Sequence, residues 1–199
     1  MNQALSAELL ALRDEDQRVR AELAADGSLY GAYHPRMETV HRANAARLRE
    51  IVATHGWPGR ALVGDDAAAA AFLIVQHSIG EPAFMRGMLE LMREAATRGD
   101  LDAVTVAMLE DRIRDYEGRG QLFGTQFDWD ENGCMSPKPI ADPDDVDVRR
   151  MAVGLPPLAE AIEQMREQVK ATGERAPADR TAYERGYHEW LVRTGWRAG

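Results

Sequence analysis

A chain of 199 residues, 45% hydrophobic and 29% charged, has the balance of a globular protein and length enough for one substantial core, so one domain is the default expectation. Its formal net charge of −9 leaves no basic stripe to displace counterions from phosphates or to rest on an anionic bilayer, which argues against nucleic-acid and membrane partners. Cys134 is the lone cysteine, MNQALSAELLALRDEDQ lacks the basic-then-apolar pattern of a leader, and no apolar run approaches the roughly 20 residues needed to cross a bilayer, so the expected setting is cytoplasmic.

Helical spacing of Leu5, Leu9, Leu12, Val19 and Leu23 predicts a first helix over about Ser6 to Ala25, stopped by Asp26-Gly27. A second fits His34 to Thr54, with Pro35 in its first turn and Met37, Val40, Leu48 and Ile51 on its stripe. Trp57-Pro-Gly59 then breaks the chain. Asp65 or Asp66 is placed to cap a third helix, which carries the run AAAAAFLIVQHS. A fourth spans Pro82 to about Thr97, and a fifth, capped by Asp100 or Asp102, runs to about Tyr116.

From Glu117 to about Val146 the composition shifts to Gly, Pro, Asp and aromatics, and a long irregular stretch of this kind usually has a purpose. Within it Gln126-Phe-Asp-Trp-Asp130 before Asn132-Gly133 reads as a hairpin with a type I′ turn. Helix resumes near Pro157 to Ala171 and Ala178 to Thr194, the last carrying Tyr183, Tyr187, Trp190 and Leu191. The expected protein is therefore mainly α: a single-domain helical bundle of about six to seven helices with a small hairpin or irregular loop after the fifth. Residues 1–172 form the expected helical domain, with the loop insertion at 117–148 and a C-terminal helical extension at 173–199.

Several polar residues fall on the apolar stripes. Asp16 follows Leu12 by four and precedes Val19 by three, Asn44 lies four from Val40 and from Leu48 with His41 on the same side, and Arg112 has Met108, Leu109 and Tyr116 as stripe neighbours. The third helix adds Gln76 and His77 at its end. Unpaired buried charge is costly, so these groups must meet one another or line a wet cavity, and Asp16 with Arg112 is the expected pair. Either a structural ion-pair network or a functional pocket accommodates them.

Near-miss motifs exclude familiar metal sites. Glu38-Thr-Val-His41 is a single Glu-x-x-His unit where a di-iron bundle needs two, and Asp128-Trp-Asp-Glu-Asn-Gly133 begins like a calcium loop but has Pro139 at the twelfth position, where a bidentate glutamate is required. No phosphate-binding glycine loop occurs, so no cofactor and no metal are expected.

His55-Gly-Trp-Pro58, Gln76-His77, Asp111-Arg112, Gln121 with Gly124-Thr-Gln126, Pro139-Ile140 with Asp142, and Arg149-Arg150 with Gly154-Leu155, together with Asp16-Gln17, give the chain a resemblance to a bacterial family classed only as a domain of unknown function. The resemblance covers about residues 5 to 165. Ser78-Ile79 departs from the more polar continuation it implies, and the segment after about Gly173 lies outside it. It implies no activity, but its motifs coincide with several inward-facing polar residues.

The leading functional expectation is an enzyme doing metal-independent acid/base chemistry (hydrolysis, elimination or isomerisation) on a small-molecule or peptide-like ligand. His77 would be the acid or base and Asp16 would orient it, while Arg112, Gln76, Gln126, Asn44, His41 and Thr125 would bind the ligand. The alternative is a non-catalytic partner protein, homodimer included, with the acidic hairpin around Phe127 and Trp129 as its contact surface.

Overall fold

The computed structural model describes residues 1–30 and 33–199, and these form two compact units, Met1–Asp102 and Ala103–Gly199. The expectation of a mainly helical protein with a small hairpin holds.

The first unit is all helix. α1 (Gln3–Ala25) starts three residues earlier than its stripe suggests because Asn2 caps it, its side chain accepting from Leu5 N at 3.1 Å. α2 (Pro35–His55) begins at the proline, and α5 (Pro82–Thr97) does the same. Between α2 and α4 (Asp65–His77) lies α3 (Arg60–Val63), a single turn in the segment expected only as a break. The cap of α4 is Gly64, and Asp65 and Asp66 sit inside its first turn, where negative charge suits the exposed N–H groups.

α4 packs against both α1 and α2. Its Ala67, Ala68, Ala70 and Ala71 are all buried, and side chains this small let the neighbouring helix axes come close. Buried Leu9, Leu48, Ile74 and Met85 fill the centre from four helices.

α3 is held at its start by the Asp100 to Asp102 turn. Ala61 N donates to Asp100 Oδ1 at 2.8 Å and the Arg60 guanidinium to Asp102 Oδ1 at 2.8 Å, so the two acids expected at the next helix's N-terminus bond to the first turn of α3. Gly59 lies so close under Asp100 that a Cβ there would fall 2.0 Å from its Oδ2.

The second unit comprises α6 (Ala103–Tyr116), a hairpin of β1 (Phe127–Trp129) and β2 (Met135–Pro137), then α7 (Val146–Ala152), α8 (Leu158–Thr172) and α9 (Arg180–Arg193). Phe127 pairs with Pro137 and Trp129 with Met135. The connection is not the expected two-residue type I′ turn. Gly133 N donates to Asp130 O at 3.0 Å and Asp130 N to Cys134 O at 2.8 Å, and of this turn only Gly133, at φ 70°, is left-handed. A three-residue loop closed by a left-handed glycine needs one positive φ where type I′ needs two, and the Asp130 carboxylate completes it by accepting from Asn132 N, Cys134 N and Ser136 Oγ. The half calcium loop seen in the sequence is therefore an aspartate turn.

The irregular stretch after α6 is organised by a buried acid. Asp111 accepts from Leu122 N at 2.7 Å, Phe123 N at 3.1 Å, Thr125 N at 2.9 Å and Thr125 Oγ1 at 3.0 Å. Arg150, buried on α7, supplies the opposite need and donates to Phe123 O and to Pro156 O at 2.6 Å, while Arg149 donates to Leu122 O at 2.6 Å and Ala141 O at 2.7 Å. Gln121, also buried, donates to Gln126 O and Lys138 O and accepts from Gln126 N. Backbone groups that have no helix or sheet partner are thus satisfied by side chains.

The C-terminal segment expected as an extension contributes α9 to this unit. Leu191 and Trp196 are buried in it, and Arg197 donates to the last carbonyls of α6, Tyr116 O and Asp115 O, both at 2.9 Å.

Two outcomes test this account. Gly59→Ala should lower stability by about 1–3 kcal/mol in urea unfolding, because the added methyl displaces the Asp100 carboxylate from α3. Asp111→Asn should cost about 3 kcal/mol and increase amide exchange at Leu122, Phe123 and Thr125, the donors that lose their shared anion.

Candidate functional site

α1 turns Asp16 inward because the residue lies on the same stripe as Leu9 and Val19, and its side chain is wholly inaccessible. α4 delivers His77 at its C-terminal end, with Nδ1 at 2.9 Å from Asp16 Oδ1 and 3.1 Å from Oδ2. α2 delivers His41, whose Nε2 stands 3.0 Å from Asp16 Oδ2. Three helices thus bring two imidazoles onto one buried carboxylate. Tyr33, just before α2, bonds through Oη to His41 Nδ1 at 2.7 Å, and its ring stacks on the imidazole with centroids 5.6 Å apart. The His41 and His77 rings are themselves in contact, centroids 5.3 Å apart.

The contacts at the two histidines differ. His77 Nδ1 is aligned for hydrogen bonding with both carboxylate oxygens, and its side chain keeps 22% of its surface accessible. His41 is 7% exposed; its Nε2, though at hydrogen-bonding distance from Oδ2, makes no aligned hydrogen bond. Burial by itself pushes the Asp16 carboxyl up, but the contacts from His41 and His77 and their charge outweigh it, and the group is held well below the usual carboxylate range. The two rings thus favour the ionised form of the Asp16 carboxyl.

Asp16 pairs with His41 and His77, where Arg112 had been the expected partner. In the second unit Arg112 Nε donates to Gln126 Oε1 at 3.0 Å, and Gln126 Nε2 donates in turn to Thr125 Oγ1 at 3.0 Å. Thr125 itself is held by Asp111. Asn44 is buried and donates through Nδ2 to Leu12 O at 3.2 Å, tying α2 to α1. Gln76, half-buried, precedes His77 on α4. Arg112, Thr125 and Gln126 belong with the loop of the second unit, and Asp16, His41 and His77 form one cluster of the first.

Spacing points to Asp16 and His41, and the polar end of the apolar run on α4 to His77, but Tyr33 lies outside any helix and so carries no periodic signal. Asp111 lies four residues after buried Ala107, but the loop amides that satisfy it as a buried acid are beyond any local pattern.

The second unit also holds a cavity of about 460 Å³ beside the hairpin and α9, lined in part by Asp115, Arg119, Trp129, Lys138, Tyr187 and Arg197. Lys138 Nζ donates to Asp115 Oδ2 at 2.8 Å and to Tyr187 Oη at 3.1 Å and lies over the Tyr187 ring. Burial, followed by the charge of Asp115, pushes the Tyr187 hydroxyl far above its ordinary value. Each charged group in this trio already has its partner. The Asp16 cluster, with an unaligned buried nitrogen on one side and an accessible imidazole on the other, is the stronger candidate.

Replacing Asp16 by Asn should cost about 3–5 kcal/mol in chemical unfolding, since the amide leaves two histidines around a buried site without their anion; a loss below 1 kcal/mol would show that the carboxylate does not hold the three helices together.

No curated protein and no solved structure matches the chain. Residues 3–172 match the model of a family of unknown function, DUF6624. That span runs from α1 to the end of α8 and so takes in both the Asp16 cluster and the Asp111 loop, leaving α9 outside. With most of its length inside the match, the chain belongs to the family of unknown function DUF6624.

Proposed function

We propose that the protein is an enzyme doing acid/base chemistry on a small-molecule or peptide-like substrate, with the Asp16, His41 and His77 cluster as its reacting centre. The observation that carries the reading is the hydrogen bonding of His77 Nδ1 to both oxygens of a fully buried carboxylate. A carboxylate in that position favours the tautomer with hydrogen on Nδ1, leaves the Nε2 lone pair free to accept a proton, and stabilises the imidazolium that results. His77 is then the acid or base, and Asp16 is the residue that orients it. His41, with Tyr33 behind it, holds the other side of the anion. Hydrolysis, elimination and isomerisation all need a group of this kind.

The reading uses the first unit alone. Arg112, Thr125 and Gln126, whose polar atoms organise the loop of the second unit, are not required for it. No described helix is long and apolar enough to cross a membrane. The acidic charge and the exposed lone Cys134 suit a cytoplasmic setting, which is part of the proposal.

One observation favours the alternative of a non-catalytic protein with a structural polar core: Asn44 and Asp16, both buried, tie α1 to α2 by hydrogen bond and ion contact. The two readings diverge at His77. In a screen of small esters, amides, hydroxy acids and short peptides, turnover by the wild type should fall at least about 100-fold in His77→Ala, with the helical circular dichroism spectrum retained. A folded His77→Ala protein that keeps the wild-type rate would remove His77 from the chemistry.

A further inference from the structure

We infer that Asp16, His41 and His77 bind one divalent transition-metal ion of the zinc or iron(II) class. Among the described residues, this is the group in which three potential ligand atoms from carboxylate and imidazole side chains converge, all within 4.8 Å of one another. Two imidazoles and one carboxylate are donors suited to zinc and the late first-row ions, whereas calcium and magnesium sites are built from oxygen. Three protein ligands also leave coordination positions open, as catalytic sites require.

The distances fit the role. Ligands about 2.1 Å from a common ion are separated by about 3.0 Å at the right angles of six-coordination and by about 3.4 Å at the tetrahedral angles usual for zinc. Asp16 Oδ2 stands 3.0 Å from His41 Nε2 and 3.1 Å from His77 Nδ1. Hydrogen bonding accounts for the His77 contact but not for the other. His41 Nε2 is buried, close to the carboxylate and unaligned with it, so its lone pair or proton has no partner of good geometry, and such a buried group calls for an explanation. Metal ligation supplies one, because the lone pair then points to the ion and the carboxylate oxygen is a neighbour in the coordination shell.

Tyr33 completes the arrangement. A ligating histidine ordinarily places its second ring nitrogen in a hydrogen bond that fixes tautomer and orientation, and Tyr33 Oη occupies that place at 2.7 Å from His41 Nδ1.

The inference rests on the cluster being the reacting centre and changes the expectation of metal-free chemistry. With the ion bound, it takes the place of the Asp16 to His77 hydrogen bond, and of these two side chains only His77 keeps any accessible surface.

The test uses the full chain stripped with a chelator. Titration with cobalt(II), read by its visible absorption, and with zinc(II), read by calorimetry, should give one equivalent per chain and a metal-dependent rise in Tm. His41→Ala and His77→Ala should each weaken binding at least about 100-fold, and Tyr33→Phe roughly 10-fold. Tyr33→Phe, which preserves the ring and its packing, keeps the test open if either histidine variant fails to fold. A stripped protein with neither a cobalt band nor a Tm response to zinc overturns the inference, as does binding unchanged by both His41→Ala and Tyr33→Phe. That failure is distinct from failure of the acid/base reading. Absence of metal binding leaves His77 free to act alone, whereas turnover that survives in folded His77→Ala removes His77 from the chemistry whatever the metal result.

Discussion

A carboxylate buried without access to water must be compensated where it stands, and Asp16 places that demand on the first unit. Its compensation comes from two other helices, so α1, α2 and α4 have to meet at one point to within hydrogen-bond reach. The alanine face of α4 follows from the same demand. Larger side chains at Ala67, Ala70 and Ala71 would hold the helices too far apart for His77 to reach the acid on α1. Asn44, tied to Leu12 O, sets the height of α2 against α1 and so the position of His41. Packing and chemistry are one problem here: the residues that fill the interior also determine how far apart the polar groups stand.

The second unit buries an acid too, and the comparison separates two uses of the same side chain. Asp111 is surrounded by the amides of Leu122, Phe123 and Thr125 and by the Thr125 hydroxyl, so its lone pairs are consumed in holding a loop. Arg150 and Arg149 do the converse with the carbonyls of the same segment. Together they replace the hydrogen bonds that a helix or sheet would have provided, and the loop has a defined course without regular structure. Asp16 instead faces two titratable rings, one of them accessible. An acid satisfied by backbone amides is structural, whereas one set against imidazoles can take part in moving protons.

The same contrast runs through the short polar motifs. Asp111-Arg112, Gln121, Gly124-Thr-Gln126 and Arg149-Arg150 are each polar and set in or beside a region poor in regular structure. In the folded unit Asp111, Gln121, Arg149 and Arg150 mainly satisfy backbone groups, with Arg112 bonded to Gln126 beside them. The cluster with the better chemical credentials draws on Gln76-His77, Asp16-Gln17 and the single Glu-x-x-His unit, whose members are more than twenty residues apart and lie on different helices.

The sequence by itself determined what depends on near neighbours. Helical period, first-turn prolines and glycine stops located α1, α2, α4, α5, α6, α8 and α9, and the same period showed that Asp16, His41, Asn44 and His77 sit on or beside apolar faces, because side-chain direction in a helix depends only on spacing. One-turn α3 and the short α7 were not legible, since one or two turns carry too little period to stand out. Nor was the hairpin turn, where the aspartate ahead of Asn-Gly decides the geometry. Only the tertiary structure decided which partner each inward group takes. Asp16 meets two histidines because α4 and α2 flank α1 at that level, and Asp111 meets loop amides because the chain doubles back after α6. Partner choice is a property of helix packing and loop course, set by contacts across tens of residues, and no local spacing encodes it.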